Sequence, residues 1–222
     1  MKTTRNILIS LGAMLLCVPL LHAQDLSKYR QFSLGTSLAQ VSKQVGQQMD
    51  QATSIQQSPA AIQQMEWWPV AMNFLAKPEP VQKVIFTFYN GTLYKIVATY
   101  DNDATAGLTD SDMTAAISKS YGLATQKTSA VSTTRNPGYG TDATIAQWDD
   151  TKYSVTLSRE PFLNAFRLVV LTKQMNAQAD ASITEAAAQA RVDAPQKAID
   201  RDKKDAADLE TQRQANLKAF RP

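Results

Sequence analysis

Cysteine and histidine are almost missing from this chain of 222 residues: there is one of each, Cys17 and His22, and both fall within the first 23 positions. Those positions read as a cleavable export signal, with Lys2 and Arg5, then an apolar run from Ile7 to Leu21, then Ala23 before Gln24 and Asp25. Cleavage between Ala23 and Gln24 leaves a mature chain with neither residue. That excludes thiolate and imidazole nucleophiles, imidazole general bases, Cys- or His-based zinc sites, and disulfides. A long hydrophobic run is also lacking. The apolar stretch is broken by Ser10, Gly12 and Pro19 and falls short of the roughly 20 residues that span a bilayer. Leu16 is too large to precede a diacylated cysteine, so Cys17 reads as part of the signal's apolar region.

An excess of one charge is lacking too. Of 23 basic and 20 acidic residues, the signal takes Lys2 and Arg5, leaving 21 against 20. A near-neutral chain of mixed signs has no stripe to track phosphates, so nucleic acid is not an expected partner. Removing 23 residues from 222 leaves 199, one ordinary domain with a tail. An exported domain of this size without a disulfide relies on its core alone, which fits a bacterial periplasm or envelope.

What is present is local punctuation. Residues 29–34 alternate as a short strand would, and Gly35 ends them. Thr36 or Ser37 then caps a helix carrying Leu38, Val41 and Val45 on one face, stopped by Gly46. Residues 47–61 read as a loop or a frayed helix extension. The strongest signal is residues 81–100, two β-branched and aromatic runs around Asn90-Gly91, the pair suited to a type I′ turn. A two-residue turn sets Phe88 opposite Leu93, Phe86 opposite Lys95 and Val84 near Val97, with Ile85, Thr87, Tyr89, Tyr94, Ile96 and Tyr100 on the other face. Thr109 and Asp112 form a capping box for a second helix that ends at Tyr121-Gly122. Residues 123–142 read as an exposed loop, and strands return at 143–148, 153–157 and 166–171.

A capped helix followed by three strands thus occurs twice, in halves 28–103 and 104–174 of a domain spanning 24–174. The predicted fold class is α+β, two helices packed on antiparallel sheet in a tandem α-βββ arrangement. Residues 175–222 carry eight basic and eight acidic residues with few large apolar ones. They read as a polar, charge-balanced helical tail, a solvated spacer or weak contact element broken at Pro195.

Candidate chemistry is sparse. Asp101, Asp103, Thr105, Thr109 and Asp112 occupy positions 1, 3, 5, 9 and 12 of a calcium-loop register, but Ala106 stands where glycine belongs and Asp112 replaces the longer glutamate. A strand-to-helix connection explains the same residues. Glu66, Asp149 and Asp150 lack any glycosidase signature, and adjacent Ser118-Lys119 do not share a helix face. Trp67 and Trp68 lie on a strand that turns them to opposite faces, so one is a binding anchor unless both are covered, the reading we favour. Phe220 is an isolated apolar group near the terminus and a third partner-binding candidate.

Leu34-Gly35-Thr36-Ser37-Leu38 with Val41, Val45 and Gly46, followed by Phe88-Tyr89-Asn90-Gly91-Thr92-Leu93, resembles small exported proteins of the SmpA/OmlA type, within the wider fold of the β-lactamase-inhibitor protein. The resemblance spans residues 32–100, with a fainter echo at 107–171. It implies a noncatalytic scaffold that binds another protein through its sheet face, with no cofactor and no resident metal. The alternatives are a carboxylate-dependent hydrolase and a calcium-responsive module built on loop 101–112.

Overall fold

In the computed structural model the chain is described over residues 25–69, 79–136, 140–160 and 165–221, with 127–136 and 140–142 described in backbone only. The expected signal, its cleavage site at Ala23 and Gln24, and residues 70–78 lie outside this range. The protein is α+β, dominated by one eight-stranded antiparallel sheet.

The chain begins with a tight hairpin, β1 (Lys28–Tyr29) and β2 (Phe32–Ser33), where a single strand is expected. Helix α1 (Leu38–Val45) follows. Its Ser37 cap and Gln40 form the reciprocal box, and Gly46 closes it in the left-handed region at φ 70°, where a side chain would be strained. Residues 47–61 are neither loop nor helix extension: a 3-10 turn at 49–51 leads into edge strand β3 (Thr53–Gln56). Then come β4 (Ile62–Trp67), β5 (Val81–Tyr89) and β6 (Thr92–Tyr100). Asn90 and Gly91 both have positive φ, as the type I′ turn requires. The turn is held in place by Ala61 N–H donating to the Asn90 carboxamide and by Leu38 N–H donating to Gly91 O.

The second half repeats the order. Helix α2 (Asp110–Tyr121) is capped by Thr109 and Asp112 and precedes β7 (Gln126–Asn136), β8 (Gly140–Asp149), β9 (Tyr153–Arg159) and β10 (Phe166–Thr172). The expected loop at 123–142 is therefore mostly β7 and the start of β8. Its Thr and Ser residues suit an edge strand, and β-branching favours extended backbone. Each half contributes four strands rather than three. Strand order is β3-β4-β5-β6-β10-β9-β8-β7, so the last strands of the two halves pair at the centre.

Both helices lie on one face of the sheet, here the inner face. Val41 of α1 and Met113 and Tyr121 of α2 are buried with Met65, Phe86, Phe88, Ile96, Trp148, Leu157 and Leu168 in one core shared by both halves. Trp148 is sealed and donates its indole N–H to Gly122 O at 2.8 Å, tying β8 to the end of α2.

The hairpin register holds at Phe88↔Leu93, but Phe86 pairs with Ile96 and Val84 with Ala98. Between Thr87↔Lys95 and Phe88↔Leu93 the register shifts, leaving Tyr94 as the extra residue of a bulge. One inserted residue reverses every following side chain. Ile96 and Ala98 therefore enter the core, while Lys95 and Val97 move to the outer face.

Helix α3 (Lys173–Ala219) starts directly after β10 and crosses the outer face of the first half. Ala179, with Met175 and Ile183, packs on Ile62, Tyr89 and Tyr94, and Gln56 of β3 donates to Ser182 Oγ at 2.7 Å. Beyond Ile183 the helix continues for about 50 Å at 1.5 Å per residue with its side chains mostly exposed, passing Ser58 and Pro59 over residues 185–197. It runs through Pro195 rather than breaking there. An exposed proline removes one backbone hydrogen bond that water replaces, and pairs spaced by four residues hold both sides: Gln189–Asp193 and Gln196–Asp200.

Candidate functional site

The two tryptophans separate as strand alternation requires. Trp67 faces inward, its ring edge-on to Phe32 at 5.5 Å, while Trp68 just past β4 is 51% exposed. The expectation is that the loop 70–80 and the C-terminal segment cover both; Trp68 is half exposed, and most of that loop lies outside the described residues. The Lys83 ammonium sits 5.2 Å from the Trp68 ring centroid and 3.6 Å from the Glu66 carboxylate, so the exposed ring is held by a cation that is itself paired. Gln47 donates to Glu66 O at 3.0 Å and brings the 3-10 turn to the same end of β4, where Met49 is also exposed. The result is an exposed ring, Trp68, flanked by Lys83 and Glu66 at the end of β4 to which Gln47 also ties the 3-10 turn. Phe220 is 73% exposed at the far end of α3 and belongs to no cluster.

Loop 101–112 does not converge on a shared point. The Asp101 carboxylate accepts from the N–H groups of Asp103 and Ala104 at 2.9 Å, and Thr105 Oγ1 donates to Asp101 O. Asp112 is taken up by the cap of α2, whose Thr109 hydroxyl and N–H hold its carboxyl below the usual carboxylate range. Asp110 pairs with Arg159 at 2.7 Å. Among the described residues no group of three or more acidic, Cys or His side chains is placed to hold a metal ion. Glu66 and Asp149 are engaged by Lys83 and by Lys173, the latter at 3.0 Å, and Asp150 accepts from the backbone of Lys152 and Tyr153.

A second concavity was not visible in the sequence. Hairpin β1–β2, helix α2 and the central strands β6 and β10 enclose a cleft of about 400 Å³ at the seam between the halves, lined by Asp25, Lys28, Tyr29, Arg30, Tyr100 and Tyr121 among others. The Tyr121 hydroxyl donates to Lys28 O at 2.6 Å, fastening α2 to the hairpin. Tyr29 is 4% exposed, and its hydroxyl lies beside that of Tyr100 without meeting hydrogen-bond geometry to any group. Burial pushes the phenols of Tyr29, Tyr100 and Tyr121 above the ordinary tyrosine range. Arg30 holds a left-handed φ of 53° and reaches Glu79 at 2.7 Å, while Lys28 reaches Asp25 at 2.8 Å. The three tyrosines are remote in sequence, so no spacing rule could have joined them.

Comparison with protein-family models, with curated proteins and with solved structures returns no match for this chain. The class is defined by architecture alone: two helix-plus-four-strand halves sharing one sheet, with a projecting C-terminal helix. Among the described residues no helix is long and apolar enough to cross a membrane.

Proposed function

We propose that this is an exported, noncatalytic binding or scaffold protein of the bacterial periplasm or cell envelope, acting through protein-protein contact at the sheet edge around Trp68. The observation that carries this reading is the half-exposed Trp68 ring with its lysine clamp. An aromatic anchor with a polar rim is how contact energy is concentrated in a small area. The engagement of Glu66, Asp149 and Asp150 in ion pairs and turns favours a binding role over a carboxylate hydrolase. The resemblance of residues 32–100 to small exported scaffold proteins points the same way. The arm of α3 then serves as a spacer, its sides satisfied by its own polar pairs.

The test has two arms. Fractionation and intact-mass measurement of the native product should find it in the envelope or periplasm beginning at Gln24; a retained leader or an acylated Cys17 refutes the proposed address. Photo-crosslinking from a probe placed at Gln64 or Lys83 should trap one defined partner in envelope extract. Trp68→Ala should reduce that yield at least about tenfold, a typical anchor loss. Equal trapping by the variant removes Trp68 from the interface.

A further inference from the structure

The cleft at the seam between the halves is separate from the Trp68 edge, and its chemistry is different. We propose that it is a binding site for a neutral carbohydrate, a mono- or disaccharide.

Four observations converge. The cleft's volume, about 400 Å³, falls in the range of small-ligand pockets. Its cations already carry their own carboxylates, Lys28 with Asp25 and Arg30 with Glu79. An anionic ligand therefore finds no unmatched charge, yet an ammonium has three N–H donors and a guanidinium five, so donors remain for uncharged oxygens. Asp25 supplies a neighbouring acceptor, while the Ser120 and Tyr100 hydroxyls can both donate and accept. Sugar hydroxyls need this mixture, and the partly exposed side chains of Tyr100 and Ile117 add ring and aliphatic surface for the C–H face of a pyranose.

Tyr29 and Arg30 complete the lining. Tyr29, more than nine-tenths buried, has the Tyr100 phenol beside its hydroxyl but not in good hydrogen-bond geometry. A ligand hydroxyl on Tyr100 would orient that phenol and let it complete the pair. Arg30 takes its left-handed φ in the two-residue turn between β1 and β2, which sets it at the mouth of this cleft with its side chain fixed by Glu79.

The experiment is a titration of the purified, isotope-labelled protein followed by amide chemical shifts, with glucose, maltose, N-acetylglucosamine and N,N′-diacetylchitobiose as neutral probes and inorganic phosphate and acetate as anions. At least one neutral sugar should give saturable shifts confined to residues 25–30, Tyr100 and 117–121. Ser120→Ala, a change at an exposed position, and Tyr100→Phe should each weaken that binding about fivefold, the loss of one hydrogen bond. Trp68→Ala should leave it unchanged, so failure here and failure of the protein-contact reading are told apart. Tighter binding of phosphate or acetate at these residues, shifts elsewhere, or no response to any sugar overturns the proposal.

Discussion

The two halves of the sheet are built alike on the inner face and differently on the outer one. Inside, Phe86 and Phe88 of the first half and Trp148 and Leu157 of the second meet in one core. Outside, the first half presents Ile62, Ile85, Tyr89, Tyr94 and Val97, continued only by Val169 and Leu171 of central strand β10, whereas strands β8 and β9 present Thr144, Gln147, Ser154, Thr156 and Ser158. Helix α3 crosses the half with the apolar outer surface. The difference teaches that a repeated backbone does not require a repeated environment. Alternate positions in a strand are independent, so one face can hold the fold while the other is specialised.

The largest expected effect tests the shared inner face. Phe86→Ala and Trp148→Ala, one in each half, should each cost about 3–5 kcal/mol in chemical denaturation, and both should leave a single transition. Two separable transitions would show that the halves have independent cores. The outer faces should respond unequally. Ala179→Leu overfills the contact between α3 and Tyr94 and should cost about 1–3 kcal/mol, while Thr156→Val on the polar half should stay within about 0.5 kcal/mol. Similar costs at both positions would erase the distinction between the faces.

The seam joining the halves should be sensitive to pH at both ends. Tyr29, Tyr100 and Tyr121 have raised pKa values in the folded state, against 10.0 for a free phenol. Their contribution is complete below pH 10 and falls as pH rises above it, because the unfolded chain ionises first. Spectrophotometric titration should find these three among the seven tyrosines resisting ionisation until the protein unfolds. Glu79 runs the other way: Arg30 lowers its pKa below 4.5, so its stabilisation holds above that value and fades as pH falls through the folded one. The acid effect should be the smaller, since the pair is partly exposed.

The smallest effect on the body should come from the projecting arm. Deleting residues 184–222 should remove most of the helical circular dichroism yet shift the denaturation free energy of the sheet by no more than about 0.5 kcal/mol, as it takes away no buried side chain. A larger loss would mean that the arm braces the first half beyond Ile183.

Local chemistry was legible where it acts over a few residues. Ser37 with Gln40 and Thr109 with Asp112 stop their helices from fraying by pairs three positions apart, and Asn90-Gly91 makes its turn with its own backbone. Strand β7 was not legible, because a run of Thr, Ser and Ala without apolar alternation is extended only once β8 offers it a hydrogen-bonding partner. The Tyr94 bulge was equally hidden, since either register gives an acceptable alternation and packing against α3 and the core selects between them. Of the candidate sites, Trp68 could be named from its pairing with Trp67, but its clamp needed Lys83 from the neighbouring strand. The cleft needed a hairpin, a helix and two central strands to arrive together.

By itself the sequence determined that this chain is α+β, where helices α1 and α2 start and stop, where its tightest hairpin turns, and that its C-terminal segment is polar and helical. These follow from capping, φ preferences and side-chain period, which are properties of neighbouring residues. Only the tertiary structure decided that each half has four strands, which residues of β6 face inward, which tryptophan is exposed, and that Tyr29, Tyr100 and Tyr121 surround one cleft. Those outcomes rest on burial and hydrogen-bond partners supplied by distant segments, and no local pattern carries them.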